Sequence, residues 1–397
     1  MSEKETDRYA QRGVSASKSE VHAAIAHLDK GIYPSAFCKI LPDLVGGDSD
    51  YCNIMHADTA GTKTSLAYLY WKETGDLSVW RGVVQDAIVM NIDDMACTGC
   101  IQNIVISSTV GRNKSLIPAE VLNEVIGASQ LFIDQLGEQG VYMTLAGGET
   151  ADVGDIVRTI DVGITTFGRL PRAEVIANDV QAGDVIVGLA SYGKAIYESE
   201  YNGGMGSNGL TSARHDVLSK YYALKYPETY DAHINEDLIY CGSRRLTDVI
   251  EVDGGIQTTI GKLILSPTRT YLPIIKDVLE DMRGHIHGMI HCTGGAQTKV
   301  LKFVKGKRII KDALLEIPPL FQLIEEESGT SRKEMYKVFN MGHRMEFYLP
   351  EEHAQKVIDI AEKYDVAAQV IGRVEEADYN ELLITDSEGT YEYAGDE

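Results

Sequence analysis

Positive charge is what this chain has least of. Lysine and arginine number 37 against 59 aspartates and glutamates, a formal net charge of -22 over 397 residues. Nucleic-acid and anionic-membrane surfaces are built from clustered Lys and Arg, so neither is an expected partner. A metal-loaded cleft that takes ATP is still compatible with an acidic protein. No apolar run approaches the ~20 residues of a membrane span, and the polar N-terminus holds no apolar stretch of a secretory signal. Cysteines are scattered: Cys38, Cys52, Cys97, Cys100, Cys241 and Cys292. Only Cys97 and Cys100 stand close together, with no second pair to complete a four-thiolate site. They read as reduced thiols in a cytoplasmic protein. No short-period repeat is visible.

Carboxylate, glycine and one lysine are concentrated in two short stretches. His56-Ala57-Asp58-Thr59-Ala60-Gly61-Thr62-Lys63 puts an acid, a glycine turn and a lysine in sequence, and Ala146-Gly147-Gly148-Glu149-Thr150-Ala151 puts an acid behind two glycines. Magnesium takes oxygen ligands and usually keeps a substrate phosphate among them. Phosphates seek backbone N–H groups and a cation. Singly, each stretch is an ordinary turn. A third feature lies between them. Wound at 100° per residue, the helix expected over 82–98 has Val84, Ile88, Ile92 and Met95 on one stripe and Asp86, Met90, Asp93 and Asp94 on the other side. Three acids on the non-core half of a helix, with no lysine or arginine among them, repel one another. Either that half is solvated or a divalent cation relieves it.

A chain of this length exceeds one ordinary core. Strands are expected over 53–57, 102–108, 141–146 and 161–169. Helices are expected over 64–74 and 118–136, the second with Leu122, Ile126 and Ile133 inward. A polar stretch at 171–184 marks a boundary between residues 1–172 and 173–397. Beyond it come a strand at 185–190 and a glycine loop at 201–206. That loop leads to Ser207-Asn208-Gly209, where Ser or Asn caps the following helix. Residues 226–261 read as an irregular insertion. Helices follow at 270–283, 318–328, 331–338 and 353–364, and strands at 285–291, 346–349, 366–374 and 381–385. A short helix is expected over 20–28, and residues 1–19 read as an arm. The fold class is α/β (α+β), two domains each with a mixed sheet packed with helices.

The motifs Asp58-Thr59-Ala60-Gly61-Thr62-Lys63, Gly147-Gly148-Glu149-Thr150-Ala151, Ser207-Asn208-Gly209, Ser266-Pro267-Thr268-Arg269-x-Tyr271, His291-Cys292-Thr293-Gly294-Gly295 and Met335-Tyr336-x-x-Phe339-Asn340-x-Gly342 occur in this order. In this the chain resembles the phosphoribosylformylglycinamidine cyclo-ligase (aminoimidazole ribonucleotide synthetase) family. Selenophosphate synthetase and thiamine-monophosphate kinase share the acids and the Gly-Gly-Glu. The resemblance implies an N-terminal domain for ATP, metal and dimerisation, a C-terminal domain completing the cleft, and a homodimer. It implies ATP and Mg2+ as cofactors and a small ribonucleotide substrate of purine biosynthesis. ATP would phosphorylate the amide oxygen, and the amidine nitrogen would then close the ring as phosphate leaves. Asp58, Asp94 and Glu149 would hold magnesium, with Asp86 a further candidate. Lys63 would touch the phosphates above the turn of Gly61 and Thr62, with Gly147 and Gly148 beside the nucleotide and Asn208 at the cleft floor. Lys63, Asp94 and His291 would be the catalytic set. His291 is either a proton donor or acceptor, or a strand-end histidine bonded to backbone. Arg269 and Tyr271 brace the cleft, or Arg269 reaches the ribose phosphate. Asn340 is expected in a turn with φ > 0.

The chain also departs from that family. Asp93 precedes Asp94 where the family has Asn, adding a charge beside the proposed metal. Ile32-Tyr33-Pro34-Ser35-Ala36-Phe37 replaces a glycine-rich loop. Gly206 stands where the family has histidine. Ala296, Lys299 and Val300 replace a glycine, an acid and Asn where the acceptor is expected. Two alternatives follow: a relative using ATP on another small acceptor, or a nucleotide-binding regulatory subunit without chemistry.

Overall fold

The computed structural model describes residues 11–14, 24–25 and 27–395. Most of the expected arm and of the helix over 20–28 lies outside them. The first unit runs β1 (Ile40–Pro42), β2 (Tyr51–Thr59), α1 (Lys63–Thr74), α2 (Val79–Ala96), β3 (Ile104–Arg112), α3 (Ala119–Glu138), β4 (Met143–Asp152) and β5 (Ile160–Pro171). Its strands form one sheet in the order β1-β2-β5-β3-β4. Only β3 and β4 are parallel. Residues alternate cleanly along β5: Ile160, Val162, Ile164, Thr166 and Leu170 point inward under α2, while Asp161, Thr165 and Phe167 face the other side. On that other face Met55 and Val105 are exposed among the described residues.

The second unit begins with β6 (Asp184–Ala190), α4 (Leu210–Val217) and α5 (Tyr221–Lys225). A hairpin follows, β7 (Val249–Val252) and β8 (Ile256–Thr259), then α6 (Ile260–Ile264), α7 (Leu272–Met282) and β9 (Gly288–His291). The chain ends with β10 (Lys307–Lys311), α8 (Pro319–Ser328), α9 (Arg332–Val338), β11 (His343–Pro350), α10 (Ala354–Glu362), β12 (Ala368–Glu376), β13 (Glu381–Thr385) and β14 (Thr390–Ala394). Seven strands form a second sheet, ordered β14-β13-β10-β12-β6-β11-β9. Strands β10 and β14 lacked a sequence signal: each is five residues with a lysine or glutamate inside it.

Several expectations need correcting. Gly147 and Gly148 do not end a strand in a turn. The strand continues through them to Asp152, with a register shift opposite Ser107. A side chain on Gly148 would collide with Ser108, so only glycine lets the two strands close up there. Ile126 is exposed, and Val125, Ala128 and Phe132 take the buried positions of α3 instead. Helix α4 starts from Gly209 in the left-handed region (φ 80°), without a side-chain cap from Ser207 or Asn208. At the N-terminal side, Arg12 is buried against Asp216 of α4 at 2.8 Å, anchoring part of the expected arm.

The largest difference concerns α2. All three of its acids are buried, like the apolar stripe opposite them. The face that periodicity leaves for solvent is covered by the second unit, through the segment 266–271 and the end of β9.

Candidate active site at the seam of the two sheets

Each acid on α2 has its own partners. Asp86 Oδ1 accepts from Lys63 Nζ at 2.8 Å, from the Thr268 amide at 2.7 Å and from Thr268 Oγ1 at 2.5 Å. Asp93 accepts from Thr270 Oγ1 at 2.6 Å and from the Tyr271 amide at 2.8 Å. Asp94 Oδ1 meets His291 Nδ1 at 2.7 Å, and Asp94 Oδ2 lies 3.6 Å from His56 Nε2. The repulsion expected along this helix is thus met residue by residue, by a lysine, by donors from the second unit and by two imidazoles.

This distribution changes the role of Lys63. Its ammonium donates to Asp86, to the Ser266 carbonyl at 2.5 Å and to the Gly206 carbonyl at 3.3 Å. A lysine has three N–H donors and all three are committed. The residue is fully buried, so it has no donor left for a phosphate. It ties the first unit to two loops of the second. Asp86 is enclosed with it, its Oδ1 taken by these donors and its buried Oδ2 without a partner among the described residues. Asp93 likewise turns away from Asp94 into the 270–271 backbone. Burial pushes its carboxyl up to about 7, against the lowering effect of Thr270 and Tyr271.

Asp94 and His291 form a different kind of pair. Burial works to raise the Asp94 carboxyl, but Lys299, the His291 hydrogen bond and both imidazoles hold it below the ordinary carboxylate range. Burial lowers His291 to about 4 despite Asp94. It is therefore a neutral imidazole donating Nδ1–H, and its buried Nε2 has no partner among the described residues. His291 is thus neither solvent-facing nor bonded to backbone through its ring.

His56 received no role from the sequence. Asn91 donates its amide nitrogen to the Ala87 carbonyl at 2.8 Å, which aims Asn91 Oδ1 at His56 Nδ1, 2.9 Å away. His56 Nδ1 must then carry a proton, leaving Nε2 toward Asp94. The available signal was strand alternation, which puts residues 56 and 58 on one face of β2.

The remaining expected residues lie around this pair. Asp58 is half-exposed, and among the described residues its carboxylate accepts only the Thr59 amide, at 2.7 Å. Glu149 is exposed and accepts the Thr150 amide at 3.0 Å. Asp58 pairs across the sheet with Ile164, Ile164 with Ser108, and Ser108 with Gly148. Three ladder steps of ~4.8 Å separate the two strands by about 14 Å, and alternation turns Glu149 to the opposite face. The chain by itself therefore does not gather Asp58, Asp94 and Glu149 round one ion. Burial raises the Asp161 carboxyl against the lowering effect of the Val162 amide, and the charge of Asp58 adds to the rise. Thr62 Oγ1 meets Thr211 Oγ1 at 2.7 Å, so the Gly61-Thr62 turn is pinned to α4. Asn208 faces the Gly294 turn, 3.8 Å from where a Cβ would stand.

Lys299 is half-buried beside the turn. It donates to Thr293 Oγ1 at 2.5 Å and lies 4.5 Å from the centre of the Phe37 ring, which itself stacks on Phe303. It forms no carboxylate ion pair within 4.0 Å among the described residues. Arg269 is buried and gives four hydrogen bonds, two to Glu198 and one each to the Ala190 and Tyr192 carbonyls, and is a brace. Asn340 also braces, accepting from Ser191 and donating to the Gly204 carbonyl, while positive φ falls on Met341 and Gly342.

One group of three metal-type donors lies within 4.8 Å among the described residues, Cys292, His343 and Glu346. It needs no ion, because the Lys311 ammonium already sits against Glu346, which also accepts from His343 and Tyr348.

Two family models match in chain order. The N-terminal domain of AIR synthase related protein covers residues 37–170, and its C-terminal domain covers residues 181–384. The chain belongs to the AIR synthase related family. The phosphoribosylformylglycinamidine cyclo-ligase of Methanocaldococcus jannaschii is 29% identical over 330 residues, 82% of this chain and 79% of that one. The enzyme of the same name from Methanosarcina mazei is 28% identical over 329 residues, 83% and 81%. Among solved structures, phosphoribosylformylglycinamidine synthase II of Thermotoga maritima aligns at a TM-score of 0.55 with 11% identity, over 99% of this chain and 51% of that one. This chain thus spans about half of that synthase. A HypE–HypF complex aligns at 0.55 with 14% identity, over 96% and 99%. Both structural likenesses concern the fold alone. Within this AIR synthase fold, the change to Gly206 has a local cause: a side chain there would collide with the Arg344 guanidinium, which donates to the Gly204 carbonyl at 3.1 Å.

Proposed function

We propose that the protein is an ATP-dependent cyclo-ligase that closes formylglycinamidine ribonucleotide to aminoimidazole ribonucleotide in purine biosynthesis. The observation that carries this reading is the match to cyclo-ligases over more than four-fifths of the chain, with both domains in order. The γ-phosphoryl group of ATP passes to the amide oxygen, giving ADP. The amidine nitrogen then attacks that carbon, phosphate leaves, and a proton is lost. A poor leaving group is exchanged for a good one, so the protein's task is alignment and charge neutralisation.

Asp58 fits a hard divalent cation: it is a half-exposed carboxylate with no cation beside it among the described residues. Asp58 and Asp94 would hold magnesium, which supplies charge neutralisation at the phosphates. Glu149, on the exposed sheet face, would contribute through a rearrangement or from a second copy. Asp94 fixes the tautomer of His291, and the unpartnered Nε2 of His291 is the acceptor for the proton lost at ring closure. Lys63 acts as a positioning residue that holds the 206 and 266 loops together. The exposed face, with Met55 and Val105, is where a homodimer would form; Val105→Asp should then give a monomer by light scattering. The protein works in the cytoplasm.

Incubation with magnesium, ATP and the formylglycinamidine substrate should yield ADP and aminoimidazole ribonucleotide in equal amounts. An absence of turnover removes this reading. The second reading, another acceptor, draws on Lys299: a half-buried ammonium beside the glycine turn, with no carboxylate within 4.0 Å among the described residues, selects an anionic group. Comparing ATP hydrolysis across candidate acceptors separates the two.

A further inference from the structure

A cavity of about 480 Å³ lies away from the α2 acids, between the N-terminal half of α2, the C-terminal half of α3 and the segments 197–202 and 262–270. Gln85, on its wall, is nine residues from Asp94 on the same helix, about 13 Å along the axis. The volume is that of a small-molecule site. Its floor is apolar, with Ala128, Phe132, Leu136 and Leu265.

The polar groups of the cavity are mostly spent. Arg81 pairs with Glu124 at 2.9 Å and Lys262 with Glu200 at 2.8 Å, which leaves Asp76, held by Ser78, as the lining charge without an ion-pair partner among the described residues. Glu198 is held by Arg269. Two amide oxygens are also left to accept. Gln85 donates its nitrogen to the Thr268 carbonyl at 2.9 Å, and Gln135 donates its nitrogen to the Tyr197 carbonyl. Each Oε1 then has no donor among the described residues. An apolar floor, no unpaired cation on the wall and two waiting acceptors suit a ring compound without negative charge that carries amine or amide N–H donors.

We propose that this cavity binds an aminated, uncharged heteroaromatic molecule of nucleoside size, and that its occupancy is felt at the carboxylates through the segment Ser266–Tyr271. One side of that segment, at Ser266, Pro267 and Thr270, walls the cavity. The other side carries the Ser266 carbonyl that takes Lys63 and the donors that hold Asp86 and Asp93. An occupant therefore touches the segment whose other contacts hold Lys63, Asp86 and Asp93, and that shared segment is the physical link between cavity and site.

Adenosine is the probe, used on the full chain with the nucleotide cleft filled by saturating AMP-PNP. Calorimetry should record one adenosine per chain, and amide exchange across 266–271 should slow. Purine riboside, which lacks the amine, should bind about tenfold more weakly, the loss of one hydrogen bond. Ala128→Trp fills the floor and should abolish adenosine uptake while AMP-PNP still binds. If that variant fails to fold, Leu131→Trp on the exposed rim should give the same loss. No adenosine uptake by the wild type under these conditions, equal uptake by the folded cavity variants, or unchanged exchange at 266–271 overturns the proposal. Binding is read without turnover, so the result is independent of the cyclo-ligase assay.

Discussion

His291 donates a hydrogen bond to Asp94 across 2.7 Å, although the two residues are 197 positions apart. One stands at the end of β9 and the other near the end of α2, so the contact exists only when the two sheets are docked. With Lys63–Asp86 and Asp93–Thr270, it makes the seam a row of buried polar contacts. Folding, docking and site assembly are therefore one event for these residues.

Lys63 is assigned to structure. Removing one member of a buried, hydrogen-bonded ion pair costs about 3–5 kcal/mol, because the other charge is left without compensation. Lys63→Met should lower stability by that amount in urea denaturation. Lys63→Met with Asp86→Leu should be less destabilised than the two single changes added together. A lysine serving only at a phosphate would leave stability unchanged on replacement.

Asp58→Asn should behave in the opposite way. The carboxylate is half-exposed and its one hydrogen bond among the described residues, from the Thr59 amide, is available to an asparagine oxygen. The melting temperature should stay within a degree or two of wild type, since an exposed change of this kind is worth less than about 0.5 kcal/mol. Turnover should fall by about a hundredfold or more, as for a lost charge-stabilising group.

Lys299→Met tests the acceptor side. Losing a charge-assisted hydrogen bond should raise KM for an anionic acceptor roughly tenfold to a hundredfold. KM for ATP should be unchanged. A rise in both, or in ATP alone, would place the ammonium at the nucleotide.

Stability in acid should follow Glu346. Burial works to raise its carboxyl, but Lys311 and His343 hold it down to about 2, against an ordinary value of 4.5. A depressed carboxylate contributes stability above its unfolded value that is lost as pH falls through the folded one. The stability difference between wild type and Glu346→Gln should be full above pH 4.5 and should shrink as pH drops toward 2. Urea melts at stepped pH measure it.

Much of the site was legible from local rules. The strands expected over 53–57 and 161–169 fall inside β2 and β5, and the glycine pairs marked the 147–148 and 294–295 stretches. The α2 pattern singled out Asp86, Asp93 and Asp94 as unusual. The stripe argument failed on the meaning of those acids, because periodicity separates one face from another without saying what lies against the second. Ile126 failed for the same reason: its neighbour Val125 is the residue α3 turns inward.

The amino-acid order by itself determined the two alternating halves, the acidic and glycine-rich stretches and the family, since these rest on residue type and spacing along one chain. Only the tertiary structure decided which acid met which partner. Lys63 was drawn to Asp86, His291 and His56 to Asp94, and Glu149 to the far side of its sheet. Those choices depend on strand register and on the docking of two sheets, which bring together residues that no local spacing relates.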